Sequence, residues 1–533
     1  MSRPAHFQAL RSDQPYDLAV VGGGATGLGV ALDAALRGFS VVLLESHDFA
    51  GGTSSRATKL LHGGVRYLAQ GNVALVREAL AERSTVLHIA PHLAQPLPFV
   101  MPSYAWWESP FYGVGLKLYD LMAGRAGLGR TEFLNVAQTQ TALPGLRTAG
   151  LKGGVKYWDG QFDDARLALA LARTARQAGA TVLNYAEVTA LRMGERTQGA
   201  AALSEIDVVD RVEGACASVR AHCVVNATGV WVDALRTKAL SGTQGAPASQ
   251  LVSPSQGVHV VVDQAFMPGS HALLMPKTRD GRVLFAVPWM GKLILGTTDT
   301  PRKDLPREPD PFAEEMEFIL SEAAHVLSRP VAREDIRSIW VGLRPLVAPP
   351  RAEDGATKTI SREHTILVDP NGLLTVTGGK WTTYRAMAED VLNKCFAKGL
   401  LPRRSGTGTK YHRLLGAPPE GSPMQPIHGA PGIHLYGAEG SAVEACASNG
   451  HELGMGLTEA MVRFAVRQES AYTVEDVLAR RWRALFLDAR QAAAMGPSVA
   501  RLMNEEGIAD PHLDDFLALC EHYLPKPHPV ATA

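Results

Sequence analysis

Residues 17–45, DLAVVGGGATGLGVALDAALRGFSVVLLE, decide the fold. The apolar run Leu18 to Val21 enters a glycine turn, and the next dozen residues set small and apolar side chains at helical spacing. Gly38 closes that helix, a second apolar run extends from Val41 to Leu44, and Glu45 ends it. This is a βαβ unit carrying Gly22, Gly24 and Gly27 in the G-x-G-x-x-G arrangement, with an acid at the end of the second strand. Gly22 permits the tight turn. Gly24, with Ala25 and Thr26 after it, lets a pyrophosphate approach the helix N-terminus, where free N–H groups and the helix dipole attract anions. Gly27 lets the helix pack close to the strand. Glu45 can accept both hydroxyls of a ribose, and its charge repels a 2′-phosphate. A dinucleotide site is therefore expected.

At 533 residues the chain exceeds what one hydrophobic core usually supports, so two or three lobes are expected. Apolar residues make up 46% and charged residues 20%, the balance of a folded globular protein rather than a disordered one. Net charge is zero, so no global field recruits nucleic acid or anionic lipid. The five cysteines are odd in number, scattered and without C-x-x-C spacing, which points to a reducing compartment with neither a disulfide framework nor a zinc site. No metal site is expected. The first dozen residues hold no apolar core of signal-peptide length, and no run reaches the roughly 18 apolar residues of a spanning helix.

The dinucleotide is NAD or FAD on this motif alone. Reduction of a flavin by NAD usually needs a second phosphate-binding βαβ unit, and no strand elsewhere leads into a second G-x-G-x-x-G. The chain instead continues into a polar, glycine-rich stretch, Gly51 to Arg56, including Thr53, Ser54 and Ser55, and then Lys59 to Tyr67, including His62, Gly63 and Gly64. Such small and hydroxylated residues suit crowded backbone amides around a pyrophosphate or a flavin edge; a solvated loop has the same composition. Later, Cys223 to Gly229 reads as an apolar strand ending in a tight turn at Ala227 and Gly229, over which a cofactor can pass.

VVGGGATG, GGTSSRATKLLHGGVRYL, NATG, GTTD and TGGKWTTYR occur in this order. Together they resemble the FAD-dependent, respiratory glycerol-3-phosphate dehydrogenases, within the larger family of D-amino-acid-oxidase-like flavoproteins. HGGVRYL, VGLRPL and GGKWTTYR are the distinctive segments, and the similarity runs from about residue 16 to about residue 500, including the helical stretch YTVEDVLARRWRALFLDARQA. The resemblance implies an α/β chain overall: a two-lobed FAD-binding Rossmann-like domain, an inserted antiparallel-sheet substrate domain and a C-terminal helical domain. Strand and helix alternation places the FAD lobe at 1–90, 161–235 and 351–401 and a connecting segment at 91–160. The substrate lobe is expected at 236–350, a Gly/Pro-rich linker at 402–432 and the helical domain at 433–533, with helical periodicity over Thr458–Val466 and Val474–Ala494.

The implied substrate is sn-glycerol 3-phosphate, a small dianion with a secondary alcohol, oxidised to dihydroxyacetone phosphate. Phosphate in a partly dry pocket needs fixed cationic donors, and arginine's fork suits it best. The substrate-binding candidates are Arg66, Tyr67, Arg344 and Lys380. A buried salt bridge is the alternative for Arg344, an FAD phosphate partner for Arg66 and a solvent-facing helix start for Lys380. The general base is taken from His62, His259 and Lys380, since histidines are most often poised near neutral pH. Asp299 in GTTD orients a histidine, binds the FAD ribityl chain or closes an Asx turn. Gly378, Gly379, Lys380, Trp381 and Thr382 open a helix whose N-terminus suits the flavin ring; with Lys59, His62, Gly63 and Gly64 they complete the expected cofactor contacts.

Electrons leaving the flavin are expected to reach a membrane quinone, with oxygen as the rival acceptor and another D-amino-acid-oxidase-like oxidase as the rival enzyme. A flavin-binding scaffold with a dead site is the non-enzymatic alternative. Pro96–Gly124 concentrates Trp106, Trp107, Phe111 and Tyr112 with few charges, the pattern of an interfacial anchor, though also of an aromatic core or a homodimer contact. Peripheral attachment on the inner, cytoplasmic face of the cell membrane is expected. Two departures stand out: Lys117, Arg125 and Arg130 are the only basic residues near that segment, and TSSRATK replaces a serine-rich TSSxSSK.

Overall fold

The computed structural model describes residues 3–11, 14–64, 72–194, 202–240, 249–279, 281–347, 364–406, 408–447 and 450–526. The first apolar run forms the strand Tyr16–Val21 inside a parallel sheet, paired with Val41–Leu44 on one side and Cys216–Asn226 on the other. Strand order across the sheet is His364–Val368, Leu374–Gly378, Cys216–Asn226, Tyr16–Val21, Val41–Leu44, Thr181–Leu183, with only the first strand antiparallel to its neighbour along this path. Three separated stretches of chain thus build one lobe.

The residues dictate which face each strand shows. Leu18, Val20, Val41, Leu43, Cys223 and Val225 point to one side, against the helices Ala25–Leu36, Asp164–Gln177 and Tyr384–Ala397. Ala19, Val21, Val42, Leu44 and Val224 point to the other side, under the hairpin Ala186–Arg192/Ser204–Asp210 and the helix Val232–Leu240. A strand buried on both faces needs continuous apolar residues rather than alternation, and Val41–Leu44 is buried throughout.

The second sheet has ten strands. Its long path runs Thr300–Pro301, Ser255–Asp263, Lys292–Gly296, Leu284–Trp289, Ala272–Met275, Ala94–Ser103, Gly153–Phe162, Leu60–Leu61, and Ser338–Arg344 also pairs with Ser255–Asp263. All its pairings are antiparallel except Ala272–Met275 with Ala94–Ser103. The 91–160 segment, read from sequence as a connection, therefore supplies two ten-residue strands to this sheet. Pro96, Pro98 and Pro102 conceal the first of them, because proline is depleted in strands; placed on alternate residues, they withhold N–H groups from one edge only.

This sheet is also coated twice. Val258, Val260, Val262, Leu293 and Leu295 face the helix Ala313–Val326. Val261, Ile294, Trp289 and Trp340 face the C-terminal helices Glu459–Glu469, Ala489–Glu505 and Leu513–His522. The helical run expected over 474–494 is broken: a wide turn at Asp476–Arg481, then Arg483 with φ +65°, then Ala484–Leu487. Among the described residues, 402–432 holds neither helix nor strand, and no helix is long and apolar enough to cross a membrane.

Two glycines set the geometry of the nucleotide turn. Gly22 has φ +113°, and a Cβ there would meet the Ala227 carbonyl oxygen at 2.5 Å. A Cβ on Gly27 would lie 2.0 Å from the Gly22 carbonyl oxygen, backbone that cannot rotate away. Gly27→Val should therefore destabilise by about 1–3 kcal/mol or more, as overpacking does, and appear as a lower Tm. Gly115→Ala should hold or raise Tm, since it sits in a helix with nothing within 4 Å of the added Cβ.

Candidate functional site

A cleft opens at the carboxyl ends of the parallel strands, the place where open α/β sheets bind ligands. Its floor is the turn Gly22, Gly24, Ala25, Thr26; Glu45 lies at the second strand's end; Thr53 and Ser54 form one wall. Ala227 and Gly229 form the opposite wall, and Gly378, Gly379, Lys380 and Trp381 close the far end beside Pro345. The N-cap residue Gly24 offers no side chain to the N-terminus of Ala25–Leu36; the Ala25 N–H donates to Ser54 Oγ at 3.0 Å. The Glu45 carboxylate accepts from the Gly23 N–H at 2.7 Å and the His47 N–H at 2.9 Å, which fixes its direction. First-turn amides in mid-cleft, an oriented acid at one end and a second helix start at the other suit the pyrophosphate, ribose and ring of FAD.

The polar loop Gly51–Lys59 touches every part of this site. Thr53 Oγ1 donates to the Leu343 carbonyl at 2.5 Å, and the Trp381 indole donates to the Ser54 carbonyl at 2.8 Å. Thr58 Oγ1 lies 2.9 Å from His259 Nε2. Arg56, in the segment that replaces the serine-rich pattern, is buried against Glu308 and the Arg307 carbonyl. Ser55 is buried, its carbonyl accepting from Lys59 Nζ at 2.7 Å.

His259 and Arg344 stand together beyond the far end. Ser255, Gly257 and His259 share one face of the strand Ser255–Asp263 by the period-two rule. The Arg344 guanidinium lies over Gly257, where a Cβ would come within 2.3 Å of Nη2. It donates to Asp299 Oδ1 (3.1 Å), Thr297 Oγ1 (3.2 Å) and the Thr298 carbonyl (2.9 Å). Asp299, which also accepts from Ser255 Oγ at 2.7 Å, thus orients the arginine in this structure. His259 is buried and stacks on Trp340 at 5.1 Å, with no partner for Nδ1 among the described residues. Burial first, then Arg344 and Lys59, hold its pKa well below the usual imidazole value, so the ring is neutral.

Other expected residues sit apart from the cleft wall. Lys59 is sealed against Asp164 at 2.7 Å within reach of the Trp289, Trp340 and Phe486 rings, and burial pulls its ammonium down to about 7. Thr382 is buried behind Trp381. His62, Gly63 and Gly64 lie outside the lining; the Gly63 N–H donates to Tyr119 OH (3.0 Å), itself bonded to Asp159 (3.1 Å), which pairs with Arg83 (2.9 Å). Arg66 and Tyr67 lie outside the described residues. Among those residues no cluster of His, Cys, Asp or Glu could hold a metal.

Sequence reasoning missed Trp231 and Arg307, both on the cleft wall. Arg307 stacks over the Trp231 ring at 5.2 Å and donates to Ser46 Oγ at 3.1 Å, beside the acid end. Neither belongs to a recognisable motif; only the topology carries residue 307 back to the second strand.

Comparison with known proteins agrees with this geometry. Residues 17–386 match the family described as FAD dependent oxidoreductase, and residues 433–511 match the C-terminal domain of alpha-glycerophosphate oxidase. The chain is 40% identical to the mitochondrial glycerol-3-phosphate dehydrogenase of Macaca fascicularis, covering 96% of this chain and 73% of that protein. It is 37% identical to glycerol-3-phosphate dehydrogenase SDP6 of Arabidopsis thaliana, covering 95% and 85%. The solved glycerol-3-phosphate dehydrogenase from Bacillus halodurans, complexed with FAD, superposes with a TM-score of 0.74 at 30% identity, over 97% of this chain and 96% of that one. The chain belongs to the FAD-dependent glycerol-3-phosphate dehydrogenases of the D-amino-acid-oxidase-like flavoprotein family.

Proposed function

We propose that this chain oxidises sn-glycerol 3-phosphate to dihydroxyacetone phosphate and delivers the electrons to a membrane quinone. The observation that carries the reading is the placement of a guanidinium and a neutral imidazole, Arg344 and His259, on one sheet face of two paired strands, with Pro345, the residue after Arg344, lining the end of the cleft. A phosphoester with a secondary alcohol needs both groups, one for its charge and one for its hydroxyl proton.

Bound FAD supplies the two-electron acceptor for the hydride on carbon 2. The side chains do the rest. Arg344, held in plane by Asp299 and Thr297, offers its fork to the phosphate. His259 takes the hydroxyl proton; burial chiefly depresses the imidazole, and a dianion against Arg344 offsets the cationic part of that depression, so its basicity rises when substrate is in place. Lys380, on the cleft wall at the start of the Trp381–Thr383 turn, adds a positive charge at the flavin edge and a further phosphate donor. His62 and Lys380 are the competing bases, and Arg66 with Tyr67 completes the proposed substrate contacts.

The acceptor reading rests on the helix Glu108–Ala123. Its outward face is apolar: Phe111 is 68% exposed, Val114 70% and Leu121 78%, with Trp106 just before it at 83%. Their exposure favours a surface role for this stripe, while Tyr112 and Tyr119 of the same helix pack inward. With Leu118, also exposed, Phe111, Val114 and Leu121 follow a 3–4–3 spacing that makes a single stripe, which suits the headgroup boundary of a bilayer. This patch supports peripheral attachment on the inner face of the cell membrane. Oxygen as acceptor and a homodimer contact on the same face are the rivals, and vesicle binding and peroxide yield separate them from it.

Anaerobic addition of sn-glycerol 3-phosphate should bleach the flavin band near 450 nm, and glycerol should not; an unchanged spectrum contradicts the assignment. Arg344→Ala should raise KM about 30-fold or more, since losing one partner of a desolvated charge pair costs about 2–5 kcal/mol. Gly257→Ala should raise KM too, by displacing the guanidinium, with flavin content intact. His259→Gln should lower the rate of flavin reduction about 100-fold or more, as loss of a general base does, while leaving KM nearly unchanged. Replacing Phe111, Val114 and Leu121 with serine should abolish co-sedimentation with lipid vesicles and reduction of a short-chain quinone in them, without lowering flavin content. Full quinone activity in that variant, or peroxide formed in proportion to substrate consumed, would exclude the membrane route.

A further inference from the structure

Three arginines of the C-terminal domain reach the rim of the cofactor site: Arg480 and Arg481 pair with Asp48, ahead of the polar loop, and Arg483 bonds to the loop itself. Arg483 comes after the wide turn Asp476–Arg481 and caps the short helix Ala484–Leu487 in a left-handed backbone conformation, φ +65°. Its side chain is fully buried. Nη1 donates to the Ala479 carbonyl at 2.8 Å within its own turn, and Nη2 crosses the domain boundary to the Ser55 carbonyl at 2.7 Å. Asp164 at 3.3 Å and Asp163 at 3.8 Å balance its charge, and the Phe486 ring lies 4.1 Å beneath it.

The Ser55 carbonyl therefore accepts from two basic side chains, Arg483 and Lys59. Hydrogen bonds to charged donors are shorter and stronger than neutral ones. One residue earlier, Ser54 meets the cofactor helix: its Oγ accepts from the Ala25 N–H, and its carbonyl accepts from Trp381. Three residues later, Thr58 meets His259. The loop is pulled from the C-terminal side at one point and contacts the cleft on either side of it.

We propose that Arg483 is a positioning residue for the cofactor: the C-terminal domain holds Ser54 against the N-terminus of Ala25–Leu36 through the Arg483–Ser55 contact, and retention of FAD depends on it. Arg483 itself touches neither FAD nor substrate. Through this contact the C-terminal domain acts at the flavin, although it packs behind the second sheet.

The test compares FAD release from purified holoenzymes, read as recovery of flavin fluorescence on dilution, with Tm and the visible flavin spectrum measured in parallel. R483M should release FAD about tenfold faster or more, the loss expected for a hydrogen bond from a charged donor, with a shifted flavin band. R483K, which keeps the charge and a donor, should recover most of the retention. R166M is the control: Arg166 crosses the same boundary to Glu469 at 3.0 Å and to the Arg481 carbonyl at 3.0 Å without touching the loop. It should lower Tm but release FAD at the wild-type rate. Should R483M fail to fold, R483Q takes its place with the same expectation. Wild-type release from the Arg483 variant, or equally fast release from R166M, would overturn the proposal.

Discussion

Everything at this site depends on how closely the first helix approaches the sheet. With hydrogen at Gly27, the helix Ala25–Leu36 seats against the Gly22 carbonyl and aims its first-turn amides along the strand ends. Any larger residue lifts that helix by the width of a methyl group against rigid backbone. The direction of the dipole, the hold of Ser54 on the Ala25 N–H and the depth of the cleft all shift with it. Position, rather than charge count, makes this helix start an anion site, because the attraction fades within one turn.

From that contact the structure passes outward through a single loop. Residues 51–59 bond to the phosphate-binding helix, to the strand end carrying Arg344, to the turn carrying Trp381, to His259 and to the C-terminal domain. Such a loop cannot be replaced by solvated coil of the same composition, since its carbonyls and hydroxyls are committed on several sides. The second sheet adds the other half of the chemistry. Its period-two alternation sends Val258 and Val260 into a core and leaves His259, with Gly257 beside it, on the opposite face for Arg344 to cover.

Much of this was legible in the sequence because the physics is local. The βαβ unit announces itself through apolar runs, glycines and a terminal acid within 29 consecutive residues; Gly22, Gly24 and Glu45 line the cleft, and Gly27 lets the helix pack close. The GGKW and NATG segments read equally well, since small residues at strand ends leave a cofactor room. What failed to show was non-local. The strand Ala94–Ser103 was masked by its prolines, and only its ladder with Gly153–Phe162 reveals it. Lys59 looks like a cofactor contact within a glycine-rich motif, yet Asp164, more than a hundred residues away, draws its ammonium into the core. Asp299 reads from sequence as a residue that orients a histidine, binds the FAD ribityl chain or closes a turn; its pairing with Arg344 is non-local. Arg307 and Arg483 carry no sequence signal, because their roles arise from where the chain returns.

The most direct measurement is a crystal structure of the anaerobically reduced holoenzyme with sn-glycerol 3-phosphate bound. Phosphate oxygens should lie within hydrogen-bonding distance of Arg344 and the carbon-2 hydroxyl against the His259 imidazole, with carbon 2 over the flavin. Phosphate bound elsewhere, with Arg344 still committed to Asp299 and His259 out of reach of the hydroxyl, would contradict that arrangement.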